Sequence, residues 1–349
     1  MNVLGIETSC DETSASVVRD GRQVLSNAVL TQILKHRPYG GVVPEIASRC
    51  HVEEMAGMVD EAVRKAGVAW NEIDRIAVTY GPGLATSLLV GLTAGKALAM
   101  RLGVPLVGVN HIEAHVFSLF LGDHAPSPAS CSPLLVLMVS GGHTYLIRMD
   151  GMGRYKLLGQ TMDDAAGEAL DKGANLMKLG YPGGPAIEQA ARGGNAEFIR
   201  FPRGTDRTPG GRFGELDRDL CFSYSGLKTS LLYYLRDHPA ALENGGLTDV
   251  AASYQEAVFD ALLLRVERAL RADGYAALGC VGGVARNQRL RSKLEDAARK
   301  HHVSLLLAAP EFCTDNAAMI AGLAGTGGAI IRMDDGSLDV RPDLVIGSV

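Results

Sequence analysis

The sequence predicts an α/β protein made of two similar halves. Each half opens with three short apolar strands joined by tight turns, and helical segments that alternate with further strands follow. The opening strands are predicted at 3–7, 14–19 and 23–30 in the first half, and at 134–139, 144–149 and 155–161 in the second. Because ligands usually bind where two domains meet, two such halves predict a binding cleft between them.

Apolar residues that recur at helical or strand spacing predict the remaining elements. In the first half these are a helix at 44–66 with Pro44 in its first turn, strand 75–79, a helix at 84–102 and strand 104–109. In the second half they are helices at 164–178, 185–192, 224–236, 248–273 and about 285–300, strands at 276–281 and 303–308, and a helix after Thr314. After its three opening strands, each half therefore continues with both helices and further strands.

A segment rich in proline and small residues, 124–133, shows no periodicity and separates the two halves. We therefore expect an N-terminal lobe at 1–123, a linker at 124–133 and a C-terminal lobe at 134–313. A helix at about 314–332 is expected to pack back on the N-terminal lobe, and 333–349 form a C-terminal tail.

The composition is that of an ordinary soluble protein. The chain has 349 residues, of which 47% are hydrophobic and 21% are charged, enough for two domains with substantial cores. Its six cysteines form no CxxC pair, which predicts reduced thiols in a cytoplasmic protein. No export signal opens the chain, and no later apolar run predicts a membrane span.

The net charge of -5 gives no indication of nucleic-acid binding. A local exception is the glycine- and proline-rich loop from Arg200 to Arg218, which contains five arginines. Four acidic residues, Asp206, Glu215, Asp217 and Asp219, partly offset them. Composition alone therefore favours a solvated loop over a nucleic-acid surface.

The segment at 110–115 contains two histidines at the spacing of metal ligands. Asn110 ends an apolar strand and suits a helix cap, and His111 and His115 then share one face of the following helix. Asp315, where another helix is expected to begin, is the best candidate for a third ligand. The alternative is one core histidine and one surface histidine, so the spacing alone leaves both interpretations open.

Glu113 argues against a peptidase of the common zinc class. In the metalloprotease motif a glutamate directly follows the first histidine, and in the inverted motif it directly precedes the last. Glu113 instead lies midway between His111 and His115. A metal site in this segment would therefore lack the catalytic glutamate of those peptidases.

Four turns of small residues occur at strand ends or helix starts. Backbone N–H groups in such turns bind anions, and a missing Cβ lets a phosphate or ribose approach the chain. None matches a phosphate-loop or dinucleotide signature, but together they favour a nucleotide or acyl-adenylate pocket. The turns are 8–12, 140–143, 182–185 and 282–287.

Two polar residues near these turns are candidates for contacts with a sugar or base. Asp171 shares a helix face with Asp164 and Glu168 and can accept hydrogen bonds from hydroxyl groups. Asn287 follows Gly282 and Gly283 in the last turn and can form hydrogen bonds to a base or sugar. The alternatives are an exposed acidic face beside Lys172 and an ordinary helix cap.

Nine motifs occur in order along the chain. They are ETSCDET at 7–13, GGVVPE at 40–45, HIEAH at 111–115, VSGGHT at 139–144, DDAAGE at 163–168, YPGGP at 181–185, FSYSGLK at 222–228, GGVARN at 282–287 and CTDN at 313–316. Together they closely resemble the bacterial TsaD family of tRNA threonylcarbamoyltransferases. The match runs nearly from end to end.

The resemblance implies an actin/hexokinase/Hsp70-like (ASKHA) fold, in which two ribonuclease-H-like lobes enclose a cleft. It also implies transfer of threonylcarbamoyl from threonylcarbamoyl-AMP to N6 of adenosine 37 in tRNAs that read codons beginning with A, with release of AMP. The implied partners are the tRNA anticodon loop and the proteins TsaB and TsaE, with TsaC making the adenylate.

The resemblance also assigns site residues. It makes His111, His115 and Asp315 the ligands of one divalent metal per subunit, usually Fe2+ and sometimes Zn2+. Contacts with the substrate and its AMP moiety are implied for Met138, Val139, Ser140, Gly141, Gly142, Asp171, Gly184 and Asn287. Met138 stands where the family often has Leu, so its contact is expected through the backbone. Glu188 stands where some members use Asp to touch substrate.

Three other functions are compatible with parts of the sequence. A small-molecule kinase of the same fold would share the lobes and turns but needs no bis-histidine metal site. A metallopeptidase would need a glutamate placed differently from Glu113. A non-catalytic assembly subunit is disfavoured because His111, His115 and Asp315 are all present.

Overall fold

The computed structural model describes residues 1–204, 210–243, 245–272, 274–326 and 332–347, and these form two compact units. The first unit comprises the described parts of Met1–Ser130, Gly151–Tyr155 and Ala308–Val349, and the second those of Cys131–Asp150 and Lys156–Leu307. The lobe boundaries predicted from the sequence, with a linker at 124–133, stay a proposal about which segments fold as domains.

The described residues contain thirteen β-strands. In chain order they are β1 (Asn2–Glu7), β2 (Glu12–Arg19), β3 (Gln23–Thr31), β4 (Arg75–Gly81), β5 (Leu106–Asn110), β6 (Leu134–Val139), β7 (Thr144–Gly151), β8 (Arg154–Gln160), β9 (Arg212–Phe213), β10 (Leu216–Asp217), β11 (Ala277–Val281), β12 (Ser304–Leu307) and β13 (Arg332–Met333).

Eleven α-helices occur in the same described ranges. They are α1 (Ile33–His36), α2 (Pro44–Ala66), α3 (Ala85–Leu102), α4 (His111–Phe117), α5 (Ala166–Leu176), α6 (Gly183–Ala190), α7 (Ser225–Asp237), α8 (Gly246–Leu270), α9 (Gln288–Lys300), α10 (Pro310–Cys313) and α11 (Ala317–Gly325).

The strands of the first unit form one mixed sheet with the order β13-β5-β4-β1-β2-β3. The three opening strands are antiparallel neighbours, whereas β4 pairs parallel with β1 and β5 pairs parallel with β4. The short strand β13 lies antiparallel to β5 at the edge.

The second unit repeats this arrangement in a sheet with the order β12-β11-β6-β7-β8. Its first strand, β6, pairs antiparallel with β7 and parallel with β11, and β12 extends the parallel side. Apart from β13, each strand of one sheet has a counterpart in the other. The two similar α/β halves predicted from the sequence are therefore confirmed.

Alternation of side chains along β1 lets helices pack on both faces of the first sheet. Leu4 and Ile6 point into a core that contains residues of α2 and α3. Gly5 points to the opposite face, where a Cβ atom would lie 2.5 Å from the carbonyl oxygen of Ala317 and 2.9 Å from the Cβ of Ala321. A side chain at position 5 would therefore separate α11 from the sheet.

Most predicted elements occur with bounds that shift by a few residues, but the last helix is shorter than expected. It was predicted at about 314–332, whereas α11 ends at Gly325. Residues 327–331 lie outside the described part of the chain, and Arg332 already pairs with Gly108 of β5. The prediction that helix continues to 332 is wrong because strand pairing replaces it there.

Among the described residues, none of the helices combines the length and the apolar character that a bilayer crossing requires.

Candidate metal centre and substrate-binding turns

The short helix α4 carries both histidines of the HIEAH segment. The side chain of Asn110 accepts hydrogen bonds from the N–H groups of Ile112 at 2.9 Å and Glu113 at 3.3 Å, so it caps the helix as predicted. His111 and His115 lie on the same face, and their ring centroids are 4.6 Å apart. The helix therefore presents two imidazoles to one point.

Asp315 reaches this point from the segment between α10 and α11. Its Oδ1 lies 2.9 Å from Nε2 of His115 and 3.6 Å from Nε2 of His111. Asn316 caps α11 by accepting a hydrogen bond from the N–H of Met319 at 3.2 Å, so the predicted helix start is confirmed. Within the described ranges, the two histidines and Asp315 are the group of three potential ligands whose donor atoms all lie within 4.8 Å of one another.

Glu7, at the end of β1, orients His111. Its Oε2 lies 3.1 Å from Nδ1 of His111 and accepts a hydrogen bond from the hydroxyl of Thr79 at 2.5 Å. Its Oε1 accepts a hydrogen bond from the N–H of Ser9 at 2.5 Å. A carboxylate against one ring nitrogen fixes the histidine tautomer and leaves the other nitrogen as a ligand.

The nearby carboxylates favour the charged form strongly enough to outweigh burial at His111 but not at His115. Burial lowers the pKa of His111, but Glu7 and Asp315 outweigh this effect and raise it to about 9. Burial would raise the pKa of Glu7, yet the nearby imidazolium of His111 holds it below its usual value. For His115 burial dominates and lowers the pKa. A divalent cation would displace the proton from His111 and interact with the same carboxylates.

The donor set fits a divalent transition metal. Two neutral imidazoles and one carboxylate are ligands of many Fe2+ and Zn2+ sites, and three protein ligands leave positions for substrate or water. His111 and His115 are almost completely buried, and Asp315 keeps 18% of its side chain exposed. The two buried histidines would therefore hold the metal on one side, and the partly exposed side at Asp315 would leave it accessible to substrate or water.

Glu113 points away from the two histidines. Its Oε1 accepts a hydrogen bond from the N–H of Gly347 at 2.9 Å. Burial raises the pKa of Glu113 to about 7, and the hydrogen bond from Gly347 opposes that rise. Glu113 is therefore not placed as the general base of a metallopeptidase.

The turn at 8–12 lies beside the metal centre. The hydroxyl of Ser9 is 3.1 Å from Nδ1 of His111, and the ring of His51 contacts the carbonyl oxygen of Cys10 at 2.9 Å. Burial and the carboxylate of Asp11 raise the pKa of Cys10 well above its usual value. The thiol therefore stays protonated, and this turn contributes backbone and hydroxyl groups to the site.

The sequence did not predict the individual roles of Glu7 and Ser9, although both lie in the motif at 7–13. A buried carboxylate directly after an apolar strand was the available signal, because such a group needs a positive or hydrogen-bonded partner.

In the second unit, the turn at 140–143 is closed by its own hydrogen bonds. The N–H of Ser140 donates to the carbonyl of His143 at 2.8 Å, and the N–H of His143 donates to the hydroxyl of Ser140 at 3.0 Å. A Cβ added at Gly141 or Gly142 would meet no heavy atom of the described residues within 4 Å. A ligand can therefore approach the backbone at these two glycines.

The side chains of Met138 and Val139 are fully buried in β6, the central strand of this sheet. A ligand can therefore reach these two residues only through their backbone groups, which agrees with the expectation for Met138.

Asp171 holds the turn at 182–185. Its Oδ1 accepts a hydrogen bond from the N–H of Gly183, the first residue of α6, at 2.6 Å. A Cβ at Gly183 would lie 2.5 Å from the Cα of Asp171, whereas at Gly184 the nearest atom would be 3.9 Å away. Asp171 and Gly184 are therefore brought together, with Gly184 the more open of the two glycines.

Glu188 and Asn287 both form hydrogen bonds at the start of α9. Asn287 caps this helix by accepting hydrogen bonds from the N–H groups of Arg289 and Leu290, and its amide donates to Oε1 of Gln255 at 2.9 Å. Glu188 accepts a hydrogen bond from the N–H of Gln288 at 2.7 Å. Asn287 therefore has the helix-capping role that the sequence left open as an alternative. For contact with a ligand, its side chain retains the second amide hydrogen.

The arginines of the loop from Arg200 to Arg218 are partly engaged within the protein. Arg203 pairs with Asp260 at 3.0 Å, and Arg212 donates to the backbone carbonyl of Glu215 in the β9–β10 hairpin. Arg207 lies outside the described residues.

The chain matches the family model described as TsaD: tRNA N6-adenosine threonylcarbamoyltransferase over residues 23–322. A tRNA N6-adenosine threonylcarbamoyltransferase from Anaeromyxobacter sp. (strain Fw109-5) is 50% identical over 344 residues, covering 98% of each chain.

Solved structures similar to this chain include component A of the Acidaminococcus fermentans (R)-2-hydroxyglutaryl-CoA dehydratase, with a TM-score of 0.53 at 13% identity over 94% of this chain and 100% of that chain. A ROK family glucokinase from Streptomyces griseus has a TM-score of 0.50 at 13% identity, covering 93% of this chain and 98% of that chain. Identities this low concern the fold alone.

The duplicated sheet order and these likenesses define an α/β protein of the actin/hexokinase/Hsp70 class with ribonuclease-H-like halves. The family match and the 50% identical relative narrow the class: the chain belongs to the tRNA N6-adenosine threonylcarbamoyltransferase (TsaD) family.

Proposed function

We propose that the protein transfers a threonylcarbamoyl group from threonylcarbamoyl-AMP to N6 of adenosine 37 in tRNAs that read codons beginning with A, releasing AMP. The observation that carries the proposal is the convergence of His111, His115 and Asp315 in a chain of the TsaD family. Within an acyltransferase, such a site is suited to hold an acyl group during transfer.

The reaction forms one bond and breaks one. N6 of the adenine attacks the carbonyl carbon of the carbamoyl group, and the bond from that carbon to the phosphate oxygen breaks. The electron pair of the broken bond leaves with AMP, and the proton that N6 loses passes to solvent. Because the exocyclic amine is weakly basic, positioning of both reactants contributes more than a strong base.

We assign one divalent metal to His111, His115 and Asp315, with Fe2+ preferred and Zn2+ as the alternative. When bound, the metal supplies positive charge that polarises an oxygen of the acyl group. Glu7 supports this assignment, because its contact with Nδ1 of His111 leaves Nε2 to face the metal.

The adenylate is assigned to the second unit. Its phosphate suits the turn at 140–143, where the open space beside Gly141 and Gly142 lets an anion lie against the backbone. The proposed contacts are Met138 and Val139 through the backbone, Ser140, Gly141, Gly142, Asp171, Gly184, Glu188 and Asn287.

The tRNA is expected to offer an unstacked adenine in its anticodon loop, as is common in recognition of single-stranded RNA. We assign part of the tRNA-facing surface to the segment from Arg200 to Arg218 with Lys228. Activity also implies TsaC as the source of the adenylate, TsaB and TsaE as partners, and a cytoplasmic location with the tRNA pool.

Reconstitution tests the proposed function. The protein is incubated with labelled threonine, bicarbonate, ATP, active TsaC, TsaB and TsaE, and a tRNA that reads codons beginning with A. Label is expected in the tRNA, and a matched tRNA with guanosine at position 37 is expected to stay unlabelled. Unlabelled A37 tRNA in the presence of partners of proven activity would contradict the proposal.

A further inference from the structure

The segment from Asp334 to Gly347, here called the clasp, follows β13 and runs from the sheet edge to the histidine helix of the first unit. At its start, the N–H of Asp334 donates to the carbonyl of Leu106 in β5 at 2.9 Å. Leu338 is buried, and its carbonyl accepts a hydrogen bond from Nζ of Lys96 in α3 at 2.6 Å. This first part of the clasp is therefore anchored to β5 and α3.

The middle of the clasp packs against the end of β4 and the residues just after it. The N–H of Arg341 donates to the carbonyl of Tyr80 at 2.7 Å, and the carbonyl of Pro342 accepts from the N–H of Gly83 at 3.1 Å. A Cβ at Gly81 would collide with the carbonyl of Arg341, so only glycine allows this approach without a shift. Leu344 is buried in the core of the same unit.

The end of the clasp holds α4 at two points. The carbonyl of Val345 accepts a hydrogen bond from Nδ2 of Asn110 at 3.1 Å, and the N–H of Gly347 donates to Glu113 at 2.9 Å. Asn110 caps α4, and Glu113 lies between the two histidines on the opposite side of the helix. Both contacts therefore act on the element that presents His111 and His115.

We propose that the clasp is a positioning element for the metal centre, which sets the placement of α4 and thereby the affinity of His111, His115 and Asp315 for metal. The proposal rests on the proposed metal site. A helix as short as α4, with seven residues, makes few internal hydrogen bonds and depends on tertiary contacts for its position. Glu113 and Asn110 supply those contacts on the side away from the ligands.

Truncation of the full-length protein after Leu344 removes both contacts to α4. Affinity for Zn2+ and, without oxygen, for Fe2+ is measured by competition with a chelator on the metal-free folded protein. The truncated protein is expected to bind metal about tenfold more weakly, as loss of groups that orient ligands commonly costs. Lys96→Met is the matched control, because it removes a clasp contact remote from α4 and is expected to bind metal like the wild type.

Two substitutions at Glu113 separate the hydrogen bond from the charge. Glu113→Gln and Glu113→Leu both remove the carboxylate charge, but only Gln keeps an acceptor for the N–H of Gly347. Glu113→Leu is expected to weaken metal binding about tenfold and Glu113→Gln to stay near the wild type. A merely structural role would lower the unfolding temperature without this difference in metal affinity.

The metal site and the positioning role of the clasp can be refuted separately. If the wild type binds neither metal, the metal site is refuted and the clasp proposal with it. If the wild type binds metal and both the truncated protein and Glu113→Leu bind it equally well, the positioning role alone is overturned.

Discussion

Glu7 is completely buried, and three donors surround its carboxylate: the N–H of Ser9, the hydroxyl of Thr79 and the imidazole of His111. Only an ionised carboxylate can accept from all three, because a side-chain amide offers one acceptor and two donors. The protonation of His111 is therefore set by a residue that lies 104 positions earlier in the chain.

Glu7→Gln is predicted to weaken metal binding by about 10- to 100-fold while keeping the side-chain volume. The amide group would face at least one of the three donors, so the ring of His111 would lose its fixed orientation. Chelator competition with Zn2+ on the folded variant measures the effect.

Thr79→Val serves as the control, since it removes one donor from the same carboxylate without touching His111. We expect it to lower stability but to leave metal affinity within about twofold of the wild type. Equal metal affinities of Glu7→Gln and the wild type would show that Glu7 does not orient His111.

Part of the candidate centre could be predicted at the scale of single residues. The spacing of His111 and His115 indicates a shared helix face, and Asp315 stands out because an acidic residue at a helix start is a plausible ligand. Their convergence and the role of Glu7 depend on tertiary packing across distant segments, which spacing does not encode. The sequence alone named the three residues as candidate ligands and left the structural alternative open, and the resemblance to a known family then assigned them as ligands.

Among the elements, the turn between Tyr181 and α6 contains two adjacent glycines in different environments. Gly183 packs against the backbone of α5 near Asp171, and its N–H binds that carboxylate. A Cβ at Gly184 would have room, with Cδ1 of Leu170 at 3.9 Å as its nearest neighbour, and the residue lies in an ordinary helical conformation. Close packing explains the first glycine, and access for a ligand is the role we propose for the second.

Alanine at each position is predicted to separate these roles. Gly183→Ala is expected to lower the free energy of unfolding by about 1–3 kcal/mol, because its Cβ has no room beside Asp171. Gly184→Ala is expected to leave stability unchanged or raise it by about 0.5–1 kcal/mol, yet to raise KM for the adenylate. Denaturant unfolding and steady-state kinetics measure the two effects. A normal KM for Gly184→Ala would exclude Gly184 from the substrate contacts.

Elements with strong periodicity were predictable from sequence, and elements made by tertiary contacts were not. Helix 44–66 was predicted with the bounds of α2, and strand 134–139 with those of β6. The strand β13 has two residues, too few to show a periodicity, and the clasp is placed by hydrogen bonds to β4, β5 and α4 and by the burial of Leu338 and Leu344. Local patterns cannot indicate such pairings.

For the whole molecule, the function cannot be inferred from the fold alone, because other proteins share this architecture. The same sheet order occurs in both units, and similar architectures occur in a glucokinase and a dehydratase component. The candidate functional residues of this chain lie at the ends of its elements: His111 after β5 and Asp315 before α11 in the first unit, and the turn at 140–143 after β6 in the second.

We propose that metal held by His111, His115 and Asp315 is required for acyl transfer to tRNA. The most direct measurement follows a single turnover from labelled threonylcarbamoyl-AMP to tRNA with TsaB and TsaE present, alongside bound metal in the same samples. The wild type is predicted to transfer label, whereas a folded His111→Ala, His115→Ala double variant loses the metal and reacts at least about 100-fold more slowly. Transfer at the wild-type rate by the metal-free double variant would contradict the claim.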